Sequence, residues 1–132
     1  MIFPTGKQWR YEPKWDGFRC LASREGRKVQ LQSKSGRPMT RYFPELVAAL
    51  AALKPEKFVL DGEIFVPVGD AFSFDALLQR IHPAESRIRK LSIETPALLI
   101  AFDLLVDAEG RLLTNEPLDA RRELLETFYR KY

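Results

Sequence analysis

The stretch Glu12-Pro13-Lys14-Trp15-Asp16-Gly17-Phe18-Arg19 concentrates residue types capable of covalent chemistry. In the pattern Lys-x-Asp-Gly-x-Arg, an amine stands two residues before a carboxylate, with a glycine and then an arginine following. That order suits an amine that attacks a nucleotide phosphorus. A lysine becomes a nucleophile only after losing its ammonium proton, which burial or nearby positive charge favours. Gly17, without a Cβ, lets the backbone approach a bulky ligand or adopt unusual dihedrals. Arg19 offers a planar, permanently charged donor fork suited to phosphate or ribose oxygens. If the segment is extended, Lys14 and Asp16 face the same way. A basic hairpin edge carrying a surface lysine and arginine is the plainer alternative.

The elements that must position these residues follow from local pattern. Residues 8–12 read as a short strand leading into Lys14. From Gly17 to Ser23, Phe18, Cys20 and Ala22 alternate with Arg19, Leu21 and Ser23, which predicts a half-buried strand. Glu25-Gly26 predicts a tight turn, and Arg27 to Ser33 a returning strand with Val29 and Leu31 on one face. Cys20 then falls on the hairpin's apolar face, as a buried thiol. Ser33 to Phe43 is a loop rich in Ser, Gly and Pro that carries Lys34, Arg37 and Arg41. Pro44 opens a helix to about Leu53, with Phe43, Leu46, Val47, Leu50 and Leu53 at helical spacing.

Phe58 to Val66 predicts a strand ended by Pro67, with Leu60, Ile64 and Val66 on one face. Val59, Asp61, Glu63 and Phe65 share the other, where two carboxylates are costly unless a positive group meets them. Ser73 is a predicted N-cap for a helix with Phe74, Leu77, Leu78 and Ile81 on one face, ended by His82-Pro83. His82 reads as a surface or capping residue. Arg87, Arg89 and Lys90 form a basic run on a second small helix or loop. Ala97 to Val106 is the most apolar strand, and regular alternation puts Phe102 and Asp103 on opposite faces. After a turn at Asp107-Ala108-Glu109-Gly110, Pro117 opens a last helix whose stripe is Leu118, Leu125 and Phe128.

A chain of 132 residues is one domain at most, with a modest core. Its 21 basic and 18 acidic residues give a net charge of +3, a weak lean towards polyanionic partners. The single cysteine excludes an internal disulfide framework and a cysteine-rich zinc site. The longest apolar runs are too short to span a bilayer, and the start lacks a signal-peptide pattern. A cytoplasmic chain without a membrane partner is the expectation.

The Lys14 octet resembles the nucleotidyl-lysine motif of the ATP-dependent DNA ligases, within the wider family of RNA ligases and mRNA capping enzymes. The wording Tyr11-Glu-Pro-Lys-Trp-Asp-Gly-Phe-Arg19 is most similar to the bacterial DNA ligases. Two more stretches resemble that family. Ser33-Lys34-Ser35-Gly36, with Thr40 and Phe43-Pro44-Glu45-Leu46, matches its second element, and Lys34 stands where arginine is usual. Asp61-Gly62-Glu63 matches its third, and Phe102-Asp103 its aromatic-Asp-Leu element. The resemblance implies an α+β domain, mainly antiparallel sheet with three or four flanking helices, that links Lys14 to AMP from ATP. The AMP then passes to the 5′-phosphate of nicked duplex DNA. It further implies that Glu12 lies near the adenine edge, Phe102 stacks on adenine, and Arg19, Lys34 and Glu63 hold ribose or phosphate. Asp16 joins Lys14 as a catalytic residue, Asp61 supports the lysine side, and Glu63 with Asp61 offers ligands to Mg²⁺. Arg37 and Arg41 become candidate DNA contacts.

The family continues with Glu-Gly-x-x-x-Lys and Lys-x-Lys elements, and neither occurs after Asp103. Residues 1–132 are therefore expected to be one incomplete adenylation domain, inactive or weakly nucleotide-binding alone and able to self-associate through its open edge. An RNA ligase or capping nucleotidyltransferase, or a non-catalytic nucleotide- or DNA-binding remnant, remains the alternative.

Overall fold

Two strands joined by a two-residue turn begin the architecture. The computed structural model describes residues 17–131; Glu12, Lys14, Asp16 and the strand expected at 8–12 lie outside them. Strand β1 (Phe18–Glu25) pairs antiparallel with β2 (Lys28–Ser33), and Glu25 faces Lys28 across the turn. Gly26 takes the positive φ of 63° that so short a connection requires. Cys20, Ala22, Val29 and Leu31 are buried on one face of this hairpin, as alternation predicts.

The segment after β2 bends through a 3₁₀ turn at Thr40–Tyr42 into helix α1 (Pro44–Ala51). Proline suits the first helical turn because the amide it lacks would have no intrahelical partner there. Phe43, Leu46 and Leu50 are buried, and Val47 and Leu53 pack at the margin of the core. Arg24 reaches from β1 to the far end of this helix, where its Nη1 donates to the carbonyls of Leu53 and Pro55 at 2.6 and 3.1 Å. A cation among helix C-terminal carbonyls satisfies acceptors that the helix cannot.

Strand β3 (Lys57–Phe65) pairs antiparallel with β1 on one side and with β6 (Leu98–Val106) on the other, giving the sheet order β2-β1-β3-β6. A small hairpin that sequence pattern did not reveal, β4 (Pro67–Val68) and β5 (Ala71–Phe72), turns at Gly69. Ser73 caps the next helix, its Oγ accepting from the Ala76 amide at 3.1 Å. That helix, α2 (Phe74–Leu78), is shorter than expected and buries only Leu77. Phe74, Leu78 and Ile81 are exposed, so the predicted four-residue apolar face does not form. Helix α3 (Glu85–Glu94) carries Arg87, Arg89 and Lys90, all exposed, and buries Ile88.

Helix α4 (Leu118–Lys131) closes the core with Leu125 and Phe128, the latter edge-on to Phe58 at 5.6 Å between ring centres. Leu118 departs from the expected stripe and is 45% exposed. The turn before α4 is held by Asp107, whose Oδ1 accepts from the Glu109 and Arg111 amides. The fold is thus α+β, with α1 and α4 contributing to the core on one face of an antiparallel sheet. No helix among the described residues is long and apolar enough to cross a membrane.

Candidate nucleotide-binding face

The opposite face of the same sheet gathers the polar residues. Arg19 lies across from Glu63, and Asp61 has Leu21 on one side and Asp103 on the other. The Arg19 guanidinium donates from Nε to Asp61 Oδ1 at 2.8 Å and from Nη2 to Oδ2 at 2.7 Å, a bidentate pair. The positive group that meets Asp61 is therefore the arginine of the opening motif, which also feels the field of Glu63. This pairing, first of all, raises the Arg19 pKa; the fields of Asp61, Glu63 and Asp103 add to it, against the cost of burial.

Regular alternation fails at Phe102. Gly62 faces Ala101 while its neighbour Asp61 faces Asp103, so Phe102 is the extra residue of a β-bulge. Ala101 and Leu104 turn into the core, and Phe102 and Asp103 both fall on the outer face. The expectation that these two side chains point opposite ways is corrected by that bulge. Gly62 makes it possible, because a Cβ there would collide with the Ile100 carbonyl oxygen and sit 3.0 Å from the Ala101 Cα. The Arg19 Cζ lies 5.9 Å from the Phe102 ring centre, so the aromatic plate adjoins the ion pair.

Gly17 has a close neighbour within the protein. A Cβ at this position would stand 2.6 Å from the Phe65 ring and 2.7 Å from the Ile64 carbonyl oxygen. The close approach at this position is therefore to β3 of the protein itself. Phe65 in turn stacks on Phe72 with ring centres 4.7 Å apart. At the mouth of β1 a cleft of about 530 Å³ is lined by Phe18, Arg19, Ser33, Lys34, Arg37, Met39, Tyr42 and Ile81, among others. Lys34 and Arg37 are both exposed at its rim, which brings three cations to one opening. Arg41 points elsewhere: it donates to the Pro83 carbonyl at 3.0 Å and lies over the Tyr42 ring.

The described residues hold no cluster of three or more His, Cys, Asp and Glu side chains. Mg²⁺ is commonly held by one or two carboxylates, with substrate phosphates and waters completing its shell. Glu63 and Asp61 are the outer-face carboxylates that fit that mode, and both Asp61 oxygens also accept from Arg19. His82 behaves as a capping residue, its Nδ1 accepting from the Ala84 amide. Cys20 is fully buried and its thiol is pushed up to about 12 by burial, which leaves it unreactive.

Two arginines central to this architecture were not singled out by sequence pattern. Arg80, completely buried, donates to both oxygens of Glu45 at 2.5 and 2.7 Å and to the Tyr42 carbonyl at 2.8 Å. It also lies over the Phe43 ring, and Glu45 accepts from the Ala97 amide at the entry to β6. Arg121, at the start of α4, donates from Nε to both oxygens of Asp103 at 3.0 and 3.1 Å. A half-buried acid invites a cationic partner, but its sequence position gives no hint of which arginine answers.

An antiparallel sheet whose outer face joins an arginine–carboxylate pair, further acids and an aromatic plate offers groups suited to a flat base and to phosphate or ribose oxygens. The model of the ATP dependent DNA ligase domain family matches residues 2–131, and the chain belongs to that family. DNA ligase C of Mycobacterium tuberculosis is 54% identical over 115 residues, which cover 87% of this chain and 32% of that protein. The ligase domain of M. tuberculosis LigD superposes with a TM-score of 0.69 at 35% identity, over 88% of this chain and 34% of that one. A mycobacterial DNA ligase D complexed with ATP and MES gives 0.68 at 34% identity, over 90% and 36%. The chain thus spans about a third of the length of its ligase C relative.

Proposed function

We propose that this chain is the nucleotide-capturing part of a DNA ligase, in which Lys14 takes AMP from ATP. The observation that carries the reading is the outer sheet face, where Arg19, Asp61 and Phe102 adjoin and Glu63 lies across from Arg19. The neutral Lys14 amine attacks the α-phosphorus, a phosphorus–nitrogen bond forms and pyrophosphate leaves. Asp16 and Glu12 flank that amine in sequence, as partners for the lysine and for the adenine edge. Phe102 offers its ring to adenine, and Arg19 and Glu63 hold ribose and phosphate oxygens. Glu63, with Asp61 close by, would hold Mg²⁺, which would supply positive charge against the triphosphate.

In the complete enzyme the AMP passes to the 5′-phosphate of nicked duplex DNA, and the nick is then sealed. Lys34 adds positive charge for the nucleotide phosphates, and Arg37 at the rim of the same cleft for the DNA strand, whereas the Pro83 contact of Arg41 does not support a DNA role for it. Residues 1–132 alone lack the Lys-x-Lys cations that would meet charge building on the α-phosphate, so trace labelling and no sealing are expected.

The test is incubation with radiolabelled ATP and Mg²⁺, using the chain alone and joined to the remaining two thirds of its ligase C relative. Acid-labile label should appear on the joined protein and vanish in Lys14→Ala. Label that persists in Lys14→Ala would overturn the assignment.

A further inference from the structure

Asp61 and Asp103 face each other across β3 and β6, so the outer face holds two neighbouring carboxylates. Each has its own arginine. Asp61 has Arg19 from β1, and Asp103 has Arg121 from α4. The Asp103–Arg121 pair is largely shielded, with side chains 13% and 18% exposed, whereas Arg19 is 43% exposed. Arg121 is further fixed by its Nη1, which donates to the Glu116 carbonyl at 2.8 Å and the Thr114 carbonyl at 3.4 Å.

We propose that Arg121 is a positioning residue for the nucleotide face: by neutralising Asp103 it leaves Arg19 bound to Asp61 and beside Phe102. Without Arg121, Asp103 becomes a half-buried carboxylate with no arginine of its own, one strand away from the Arg19–Asp61 pair. The exposed guanidinium of Arg19 is a cation of that face, and Asp103 already contributes to the field it feels. Arg19 is then shared between two acids and drawn from its bidentate geometry towards β6. Asp103 and Phe102 are consecutive in the same bulge, so the plate shifts with its anchor. The functional consequence rests on the reading of Arg19 and Phe102 as nucleotide contacts, whereas the electrostatic division between the two pairs does not.

The experiment follows the Arg19 Nε–Hε resonance in the full 132-residue chain with ¹⁵N-labelled arginine, assigned through Arg19→Lys. In the parent chain this proton should exchange slowly, held by Asp61. In Arg121→Gln it should shift and exchange faster, and in Arg121→Gln/Asp103→Asn it should return to the parent position. A merely structural anchor for α4 would not be restored by removing the acid it binds. An Arg19 signal unmoved in Arg121→Gln, or not restored in the double variant, overturns the proposal. Should Arg121→Gln not fold, Arg121→Lys keeps the charge that neutralises Asp103 and should leave the Arg19 signal close to its parent position. A folded Lys variant whose Arg19 signal shifts and exchanges faster would overturn the proposal. Labelling of Lys14 in the joined protein decides the nucleotide reading separately, since its absence would defeat that reading while the Arg19 signals still decide this one.

Discussion

Arg19–Asp61 and Arg80–Glu45 are the same bidentate device placed on opposite sides of solvent exposure. Their donor–acceptor distances are alike, 2.7–2.8 Å in the first and 2.5–2.7 Å in the second. Arg19 is 43% exposed and Arg80 is 0% exposed. Burial makes the Arg80 pair obligatory, because either partner left alone would be an uncompensated charge in a low-dielectric interior. Exposure makes the Arg19 pair exchangeable, because water or a ligand oxygen can replace Asp61 at little cost. The Arg80 pair joins the cleft loop, α1 and the entry to β6 into one unit. The Arg19 pair is the one open to displacement.

That contrast can be broken most severely at Arg80. Arg80→Ala should cost about 3–5 kcal/mol of unfolding free energy, measured by denaturant titration. Since a domain of this kind has only about 5–15 kcal/mol in total, the variant should be marginal. A loss below about 1 kcal/mol would remove the distinction between the two pairs. Gly62→Ala comes next, at about 1–3 kcal/mol, because the added methyl must push β6 away at the bulge. Full stability in that variant would mean the bulge does not depend on the close approach of the two backbones. Arg19→Gln should have the smallest effect, within about 1 kcal/mol, while weakening nucleotide binding. Thermal melts read alongside ATP titrations separate those two outcomes.

Much of this arrangement was legible in the sequence, and the exceptions have physical causes. Alternation through Phe18–Ala22 and through Phe58–Val66 identified the buried faces, and with them the outer-face placement of Arg19, Asp61 and Glu63. The demand of Asp61 for a cation was met by Arg19 itself. Phe102 escaped because a bulge inserts one residue and breaks the period of two on which the reading relied. The available signals were Gly62 opposite, which admits the closely approaching strand, and the two-residue gap between the core positions Ala101 and Leu104. Arg80 carried no periodic signal, since it follows a five-residue helix among turn residues that ordinarily face water. Leu118 matched the helical stripe in spacing, yet Arg121 tethers that first turn to polar partners on β6 and in the preceding turn. Phe74 likewise left the expected face and meets Phe18 edge-on at 6.0 Å.

The claim on which the account turns is that the outer face of β1, β3 and β6 is the nucleotide surface. Titrating ATP with Mg²⁺ into the parent chain and into Phe102→Ala, with unfolding measured on both, tests it most directly. The account predicts that Phe102→Ala weakens binding by about 1–3 kcal/mol, the worth of one base–aromatic stack, and melts close to the parent. A Phe102→Ala chain that keeps its ATP affinity and melts earlier would make Phe102 a packing residue and contradict the account.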